Sequence, residues 1–222
     1  MNKSVAARSG AVETLPALLA RTVERAPFAD LVIDGDLRLD STAFAAEVSR
    51  AAGGLRELGA DRGQHVALWM TNGASYMIMM FALARLGAVA VHVNTRYAAA
   101  EIADLLVRTD VRLVIKDIAD LGSSGLAKLR ALQDDPAIAA IRFLDPADIP
   151  NNNDAIAAHQ ELVSGDDDCL IYTTGGTTSK PKLVVHTHRS IIVAGEQIAR
   201  STGLDVPGSS LLAAVPFCGT YG

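Results

Sequence analysis

The sequence predicts an α/β fold in which mostly parallel strands are layered with helices, and three observations support this class. Short apolar runs alternate with helical patterns of apolar residues between about residues 41 and 145, which is the order that βαβ units produce. Half of the 222 residues are hydrophobic and 20% are charged, as in ordinary globular proteins. The length allows one or two domains with a sizeable core.

The N-terminal elements follow from residue spacing and from turn residues. Apolar residues at helical spacing predict a helix over residues 14–26, and the Asp34-Gly35 step between two short apolar runs predicts a β-hairpin. The candidate N-caps of the next two helices are Asp40 or Ser41 and then Asn72 or Ser75. Further strands are predicted at 66–70, 88–93, 112–115 and 141–144, and further helices at 41–58, 75–86, 98–108 and 124–133.

The chain is predicted to have four regions. They are a flexible tail over residues 1–13, a first α/β subdomain over 14–145, a polar connecting segment over 146–168, and the start of a second subdomain over 169–222. The last region is expected to hold strands at 169–172, 183–186 and 211–215 and a helix at 190–201. A buried strand so close to the last residue makes the sequence look like the N-terminal part of a longer protein.

Composition and charge exclude several classes of protein. The net charge is −5 and no run of five basic residues occurs, so neither nucleic acid nor an anionic membrane surface is an expected partner. The two cysteines, Cys169 and Cys218, lack the spacing of a zinc site or a disulfide framework, which fits a reducing cytoplasm. No secretory signal is evident, and the most apolar stretch, 77–93, carries Arg85 and His92, so no transmembrane segment is expected.

A glycine- and threonine-rich loop between two apolar runs carries the most specific chemistry. It spans residues 173–182 and contains two glycines, five hydroxyl side chains and two lysines. Successive backbone N–H groups in such a loop form an anion-binding concavity, and lysine supplies positive charge toward phosphate. It is not a Walker loop, because Lys180 is followed by Pro181 and a strand rather than a helix. The pattern favours a pyrophosphate-binding hairpin, and composition alone leaves a solvated surface hairpin open.

Two histidines, His186 and His188, lie two residues apart at the end of a predicted strand, so we expect them to share a face. No third ligand is evident near them in the sequence. We therefore expect neutral histidines with ordinary hydrogen bonds and no metal site.

The loop resembles the signature loop of the adenylate-forming superfamily, which includes acyl- and aryl-CoA synthetases, luciferases and nonribosomal peptide adenylation domains. Segments 85–97, 184–189 and 216–222 extend the resemblance, which covers about residues 14–222. It implies the N-terminal portion of the large domain of such an enzyme. The residues that it implies as ATP phosphate contacts are Thr174, Gly175, Gly176, Thr177, Thr178, Ser179 and Lys182. Ser179 stands where glycine is commoner.

The last seven residues resemble the family's Pro-x-Phe-His motif, which lies near the carboxylate and the nucleotide. The resemblance implies that Phe217, Cys218, Gly219 and Tyr221 line part of the acid pocket, and plain core packing is the alternative. Gly219 stands where the family often has histidine. Either the pocket is larger here or another residue performs the task of that histidine.

By resemblance the full enzyme is an AMP-forming acid–thiol ligase of fatty or aromatic acid metabolism. It would use ATP and Mg²⁺ to convert a carboxylic acid to an acyl-AMP and would pass the acyl group to coenzyme A. One alternative is an adenylation domain that loads an amino or aryl acid onto a carrier protein, and another is a non-catalytic nucleotide-binding or partner-binding module.

The sequence contains no complete catalytic set, because the family's later elements lie beyond residue 222. We therefore expect the chain alone to be inactive in adenylation. The acid and the oligomeric state stay open, with a homodimer among the options.

Overall fold

The computed structural model describes residues 13–152, 163–174 and 181–219, without the side chains of residues 118–120. Its helices are α1 (Leu15–Arg25), α2 (Ser41–Glu57), α3 (Ala74–Leu86), α4 (Ala99–Arg108), α5 (Ile118–Gln133) and α6 (His188–Thr202). Its strands are β1 (Asp30–Asp34), β2 (Leu37–Asp40), β3 (His65–Trp69), β4 (Val89–His92), β5 (Leu113–Lys116), β6 (Arg142–Leu144), β7 (Asp168–Thr174) and β8 (Lys182–Thr187).

Six strands form one sheet in the order β6-β5-β3-β4-β7-β8, and β8 alone among them runs antiparallel to its neighbour. At its centre Ala67 of β3 lies between Val91 of β4 and Val114 of β5. The β1–β2 hairpin forms a separate antiparallel pair around the predicted Asp34-Gly35 turn. The α/β class with a mostly parallel sheet is therefore confirmed.

Successive residues of β3 enter different halves of the core, because side chains alternate across a strand. Val66 and Leu68 belong to a cluster with apolar residues of α2 and α3. Ala67 and Trp69 belong to a second cluster with residues of α4 and α5. Helices therefore cover both faces of the sheet, and complete burial of each large apolar side chain stabilises the fold by about 1.5–3 kcal/mol.

The caps of α2 and α3 show one correct and one wrong prediction. Asp40 accepts a hydrogen bond from the backbone N–H of Ala43 at 2.7 Å, as its position before α2 predicts. Neither Asn72 nor Ser75 caps α3. Its first N–H, on Ala74, instead donates to the Asp34 carboxylate at 2.9 Å. The β1–β2 hairpin supplies this cap from 40 residues away, so local sequence could not indicate it.

Two further predictions were wrong in their details. Helix α5 begins six residues earlier than predicted and is interrupted at Gly122, whose φ of 63° leaves the helical region. Residues 211–215 form no strand, and Leu211 and Leu212 are 76% and 88% exposed. A strand needs a neighbouring backbone for its hydrogen bonds, and no described strand pairs with this segment.

The chain re-enters the same sheet after the predicted connecting segment. In β7, Leu170 and Ile171 pair in parallel with Ala90 and Val91 of β4. Residues on both sides of 146–168 thus build one sheet, and the division into two subdomains stays a prediction. In the described part of the chain, no helix combines the length and the apolar character that crossing a bilayer requires.

Candidate functional site

The carboxyl ends of β3, β4 and β7 meet at one edge of the sheet, because these strands are parallel neighbours. The chain leaves β3 to form β4 on one side and then crosses to the other side of β3 to form β5. This reversal creates a topological switch point, and open α/β sheets bind ligands outside the carboxyl ends of their strands at such points. The predicted phosphate loop begins at this edge, where β7 ends.

The β7–β8 hairpin carries the two ends of the predicted phosphate loop. Thr174 and Lys182 lie directly opposite each other in its register, and Lys182 is exposed. The structure therefore brings these two predicted phosphate contacts together, with a hydroxyl and an ammonium group at the mouth of the loop. The other predicted contacts, Gly175, Gly176, Thr177, Thr178 and Ser179, lie outside the described residues and stay predictions.

Both ends of the loop are held from the region of α4. The Tyr97 hydroxyl, two residues before α4, lies 2.7 Å from the Thr173 hydroxyl. At the other end of the helix, Arg108 donates to the backbone carbonyl of Pro181 at 3.0 Å. Residues at the two ends of α4 therefore contact the segments just before and just after the loop. Local sequence could not indicate the Tyr97 contact, since its partner lies 76 residues away.

Four aromatic rings pack against one another in a row beside the β7–β8 hairpin, and this row is called the column below. The ring centroids of His92 and Tyr172 are 4.4 Å apart at an interplanar angle of 14°. Tyr76 stacks on His92 at 5.6 Å and forms a short hydrogen bond to its Nδ1. The ring of His186 meets Tyr172 edge-on at 5.8 Å. Tyr172 immediately precedes Thr173, so the column fixes β7 next to the loop.

Burial favours the uncharged forms of Tyr76, His92 and Tyr172, three of the four rings in the column. Burial lowers the pKa of His92 to about 3 and raises the pKa of Tyr172 to about 12. Burial also raises the pKa of Tyr76 well above its ordinary value and that of the Cys169 thiol to about 12. These groups therefore provide packing, and they cannot exchange protons with a substrate near pH 7.

The predicted shared face of His186 and His188 is wrong. β8 ends at Thr187, and His188 is the first residue of α6. Its Nδ1 accepts a hydrogen bond from the backbone N–H of Leu15 at 3.3 Å, and burial lowers its pKa although Asp167 opposes the shift. Within residues 13–152, 163–174 and 181–219, no three His, Cys, Asp or Glu side chains are grouped closely enough to hold a metal ion.

The segment predicted to line the acid pocket crosses the carboxyl end of β3. Phe217 packs against Tyr76 with ring centroids 5.4 Å apart. Cys218 is only 4% exposed, and burial raises the pKa of its thiol. The Gly219 N–H donates to the carbonyl of Pro216 at 3.0 Å. Tyr221 lies outside the described residues.

The segment that contains Phe217 is held by Asn72, a residue that sequence reasoning placed at a helix cap. The Asn72 carboxamide bonds to the backbone of Ala213, Val215 and Phe217. Asparagine is typical of caps and turns, so nothing local in the sequence distinguishes this role from a cap.

Comparisons with known proteins identify the family of the chain. Residues 19–222 match the AMP-binding enzyme family. The long-chain-fatty-acid–CoA ligase FadD13 of Mycobacterium tuberculosis is 34% identical over 160 residues, which cover 70% of this chain and 31% of that protein. The fatty acid–[acyl-carrier-protein] ligase MmaC of Mycobacterium marinum is 32% identical over 177 residues, which cover 78% of this chain and 32% of that protein.

A solved structure shows the same fold. The inhibitor-bound N-terminal domain of FACL13 from Mycobacterium tuberculosis has a TM-score of 0.73 and 26% identity, covering 85% of this chain and 48% of that chain. The chain spans about a third of the length of the two curated relatives. The family match covers nearly all of the sequence and includes the β7–β8 hairpin and the segment at Phe217. This chain therefore belongs to the family of AMP-binding enzymes.

Proposed function

We propose that this chain binds the triphosphate of ATP at the β7–β8 hairpin, as part of the site where an acyl-CoA ligase activates a carboxylic acid. The observation that carries the proposal is the pairing of Thr174 with Lys182 at the carboxyl edge of the sheet. That edge is where open α/β sheets bind ligands, and a lysine and a hydroxyl there suit phosphate oxygens.

The proposed reaction begins with attack of a carboxylate oxygen on the α-phosphorus of ATP. The bond from that phosphorus to the bridging oxygen breaks, the acyl-AMP forms, and pyrophosphate leaves. Lys182 and the hydroxyls and amides of residues 174–179 would neutralise and orient the β- and γ-phosphates. Catalysis of this kind depends mainly on positioning and charge stabilisation. Mg²⁺ enters as part of the MgATP substrate.

The acid is proposed to bind beside Phe217, Cys218, Gly219 and Tyr221. Phe217 lies at the carboxyl end of β3, where it contacts Tyr76 and Asn72. We further propose that Gly219, which stands where the family often has histidine, leaves extra room for the acid. Coenzyme A is the proposed acyl acceptor, by analogy with FadD13, whose name describes a CoA ligase.

A carrier protein is the second candidate acceptor. The similarity to MmaC, named as a fatty acid–[acyl-carrier-protein] ligase, specifically favours it. A transfer assay with either coenzyme A or a phosphopantetheinylated carrier protein as the acceptor separates the two candidates.

Calorimetric titration of the chain with MgATP and with pyrophosphate tests the phosphate site. Lys182→Gln should weaken both ligands about 10–100-fold, because a charge-assisted hydrogen bond contributes about 1.5–3 kcal/mol. Arg112→Gln is a charge-matched control. Arg112 is exposed and lies just before β5, at the amino end of that strand and away from the carboxyl ends where the loop lies. No binding by the unaltered chain, or equal weakening by both variants, would contradict the proposal.

A further inference from the structure

Asn72 occupies the carboxyl end of the central strand of the sheet. β3 ends at Trp69, and α3 begins at Ala74. The intervening residues therefore lie at the carboxyl edge of the sheet, beside the switch point between β3 and β5. A polar side chain here can form hydrogen bonds with a segment of the chain that crosses this edge.

The Asn72 carboxamide uses both of its polar atoms on one distant segment. Its Nδ2 donates to the backbone carbonyls of Ala213 at 3.1 Å and Val215 at 2.8 Å. Its Oδ1 accepts the backbone N–H of Phe217 at 2.8 Å. A carboxamide offers two donor hydrogens and two acceptor sites, so three of its four hydrogen-bonding positions are filled.

The three partners alternate along the chain, as they would if they faced a neighbouring strand. Residues 213, 215 and 217 present carbonyl, carbonyl and N–H groups to a single side chain. Two short-range backbone bonds also lie in this stretch, from Ala214 N–H to the Leu212 carbonyl and from Gly219 N–H to the Pro216 carbonyl. Asn72 thus supplies backbone hydrogen bonds of the kind that a neighbouring strand would make with this segment.

Two further contacts fix the end of the same segment. The Phe217 ring packs on Tyr76, one turn into α3. The Cys218 thiol lies close to the backbone of Thr95, which follows β4. The burial of Cys218, 4% exposed, contrasts with that of Leu212, 88% exposed. The segment is therefore held where Asn72 and its neighbours meet it and is open to solvent before that point.

We infer that Asn72 is a positioning residue, whose carboxamide replaces a strand partner and holds residues 213–219 over the carboxyl end of β3 as one wall of the acid-binding site. This inference rests on the proposed function for the identity of the ligand. The wall presents Phe217 and Cys218, with Tyr76 behind them, so it suits an acid with an apolar acyl group. Asn72 itself does not react and acts only through the segment that it holds.

Release of the segment can be measured through the two buried thiols. In Asn72→Ala, the alkylation rate of Cys218 by iodoacetamide, followed by peptide mass spectrometry, should rise about tenfold or more, because local opening becomes easier. Cys169, which lies in β7, should keep its rate. Asn72→Asp should behave in the same way, since it retains an acceptor for Phe217 but loses both donors.

Asp34→Ala is the matched control. It removes the cap of α3 at Ala74, two residues from Asn72, without touching residues 213–217. If Asp34→Ala raises the alkylation of Cys218 as much as Asn72→Ala does, the effect is a general weakening of α3 and the inference is wrong. An unchanged Cys218 rate in Asn72→Ala would overturn it as well.

The effect on the ligand is tested with an acyl sulfamoyl adenosine that carries an apolar acyl group, a stable mimic of an acyl-AMP. Asn72→Ala should weaken this compound about tenfold while the affinity for MgATP changes less than about twofold. Equal affinities for the mimic in the unaltered chain and the variant would refute the positioning role. If the unaltered chain binds neither ligand, the proposed function fails, and the alkylation rates still decide whether Asn72 holds the segment.

Discussion

The hydroxyl of Tyr97 lies 2.7 Å from the hydroxyl of Thr173, one residue before the first predicted phosphate contact, Thr174. On the other side of the loop, Arg108 donates to the Pro181 carbonyl. The β7–β8 register sets the two ends of the loop opposite each other, and we expect these two contacts from the region of α4 to order them further.

Tyr97→Phe should weaken the affinity for MgATP about three- to tenfold, because it removes one hydrogen bond of about 1 kcal/mol that orders the start of the loop. The ring remains, so the free energy of unfolding should fall by no more than about 1 kcal/mol. Calorimetric titration measures the affinity. An unchanged dissociation constant would show that the Tyr97 contact does not order the phosphate site.

Gly53→Ala and Gly54→Ala should each destabilise the fold by about 1–3 kcal/mol or more, measured by urea unfolding. Both glycines lie inside α2, where a Cβ on Gly53 would overlap the carbonyl oxygen of Asn152 and one on Gly54 would overlap that of Pro150. The backbone of residues 150–152, which follows β6, packs directly on α2 and would lose this packing if it moved away.

Gly195→Ala is the control for that pair. Gly195 also lies inside a helix, α6, but a Cβ there would meet nothing within 4 Å. Alanine is favoured over glycine in a helix by about 1 kcal/mol, so this change should stabilise the protein slightly. Similar destabilisation at all three positions would contradict the packing of residues 149–152 on α2.

Acid should destabilise the protein through His92. Its folded pKa of about 3 lies below the ordinary value of 6.5, so between these limits the unfolded chain binds a proton that the folded chain excludes. Stability is therefore complete above about pH 6.5 and falls as the pH drops, by about 1.4 kcal/mol per unit for this one group. The lowered pKa of His188 acts in the same direction.

Urea unfolding at several pH values between 7 and 5 measures this dependence. His92→Phe should lower the slope of unfolding free energy against pH, since phenylalanine cannot bind the proton. An identical slope in the variant would show that other groups cause the acid sensitivity.

The sequence predicted the sheet because its strands are short apolar runs bounded by helices and turns. β3, β4 and β5 are buried on both faces, and such strands are nearly continuous apolar runs that can be recognised in the sequence. Residues 211–215 have the same apolar character but no neighbouring described strand. The apolar pattern therefore predicted a strand that does not form. Apolar character identifies segments that can be strands, and only tertiary neighbours determine which of them pair.

The site could be predicted only where its residues are contiguous. Thr174 and Lys182 belong to one hairpin, and the resemblance of that stretch to a known loop identified both. Tyr97 and Asn72 act on partners 76 and 141–145 residues away, and each has a residue type that is common in loops. Their roles arise from the fold, because the carboxyl ends of β3, β4 and β7 bring distant parts of the chain together.

The most direct test of the central claim is an NMR titration of the isotopically labelled 222-residue chain with pyrophosphate, following each backbone amide. We expect saturable shifts that are largest between Thr173 and Lys182 and that need about 10–100-fold more pyrophosphate in Lys182→Gln, with the β1–β2 hairpin unaffected. Saturation without shifts in residues 173–182, or no saturable binding at all, would contradict the claim that this hairpin holds the leaving group of ATP.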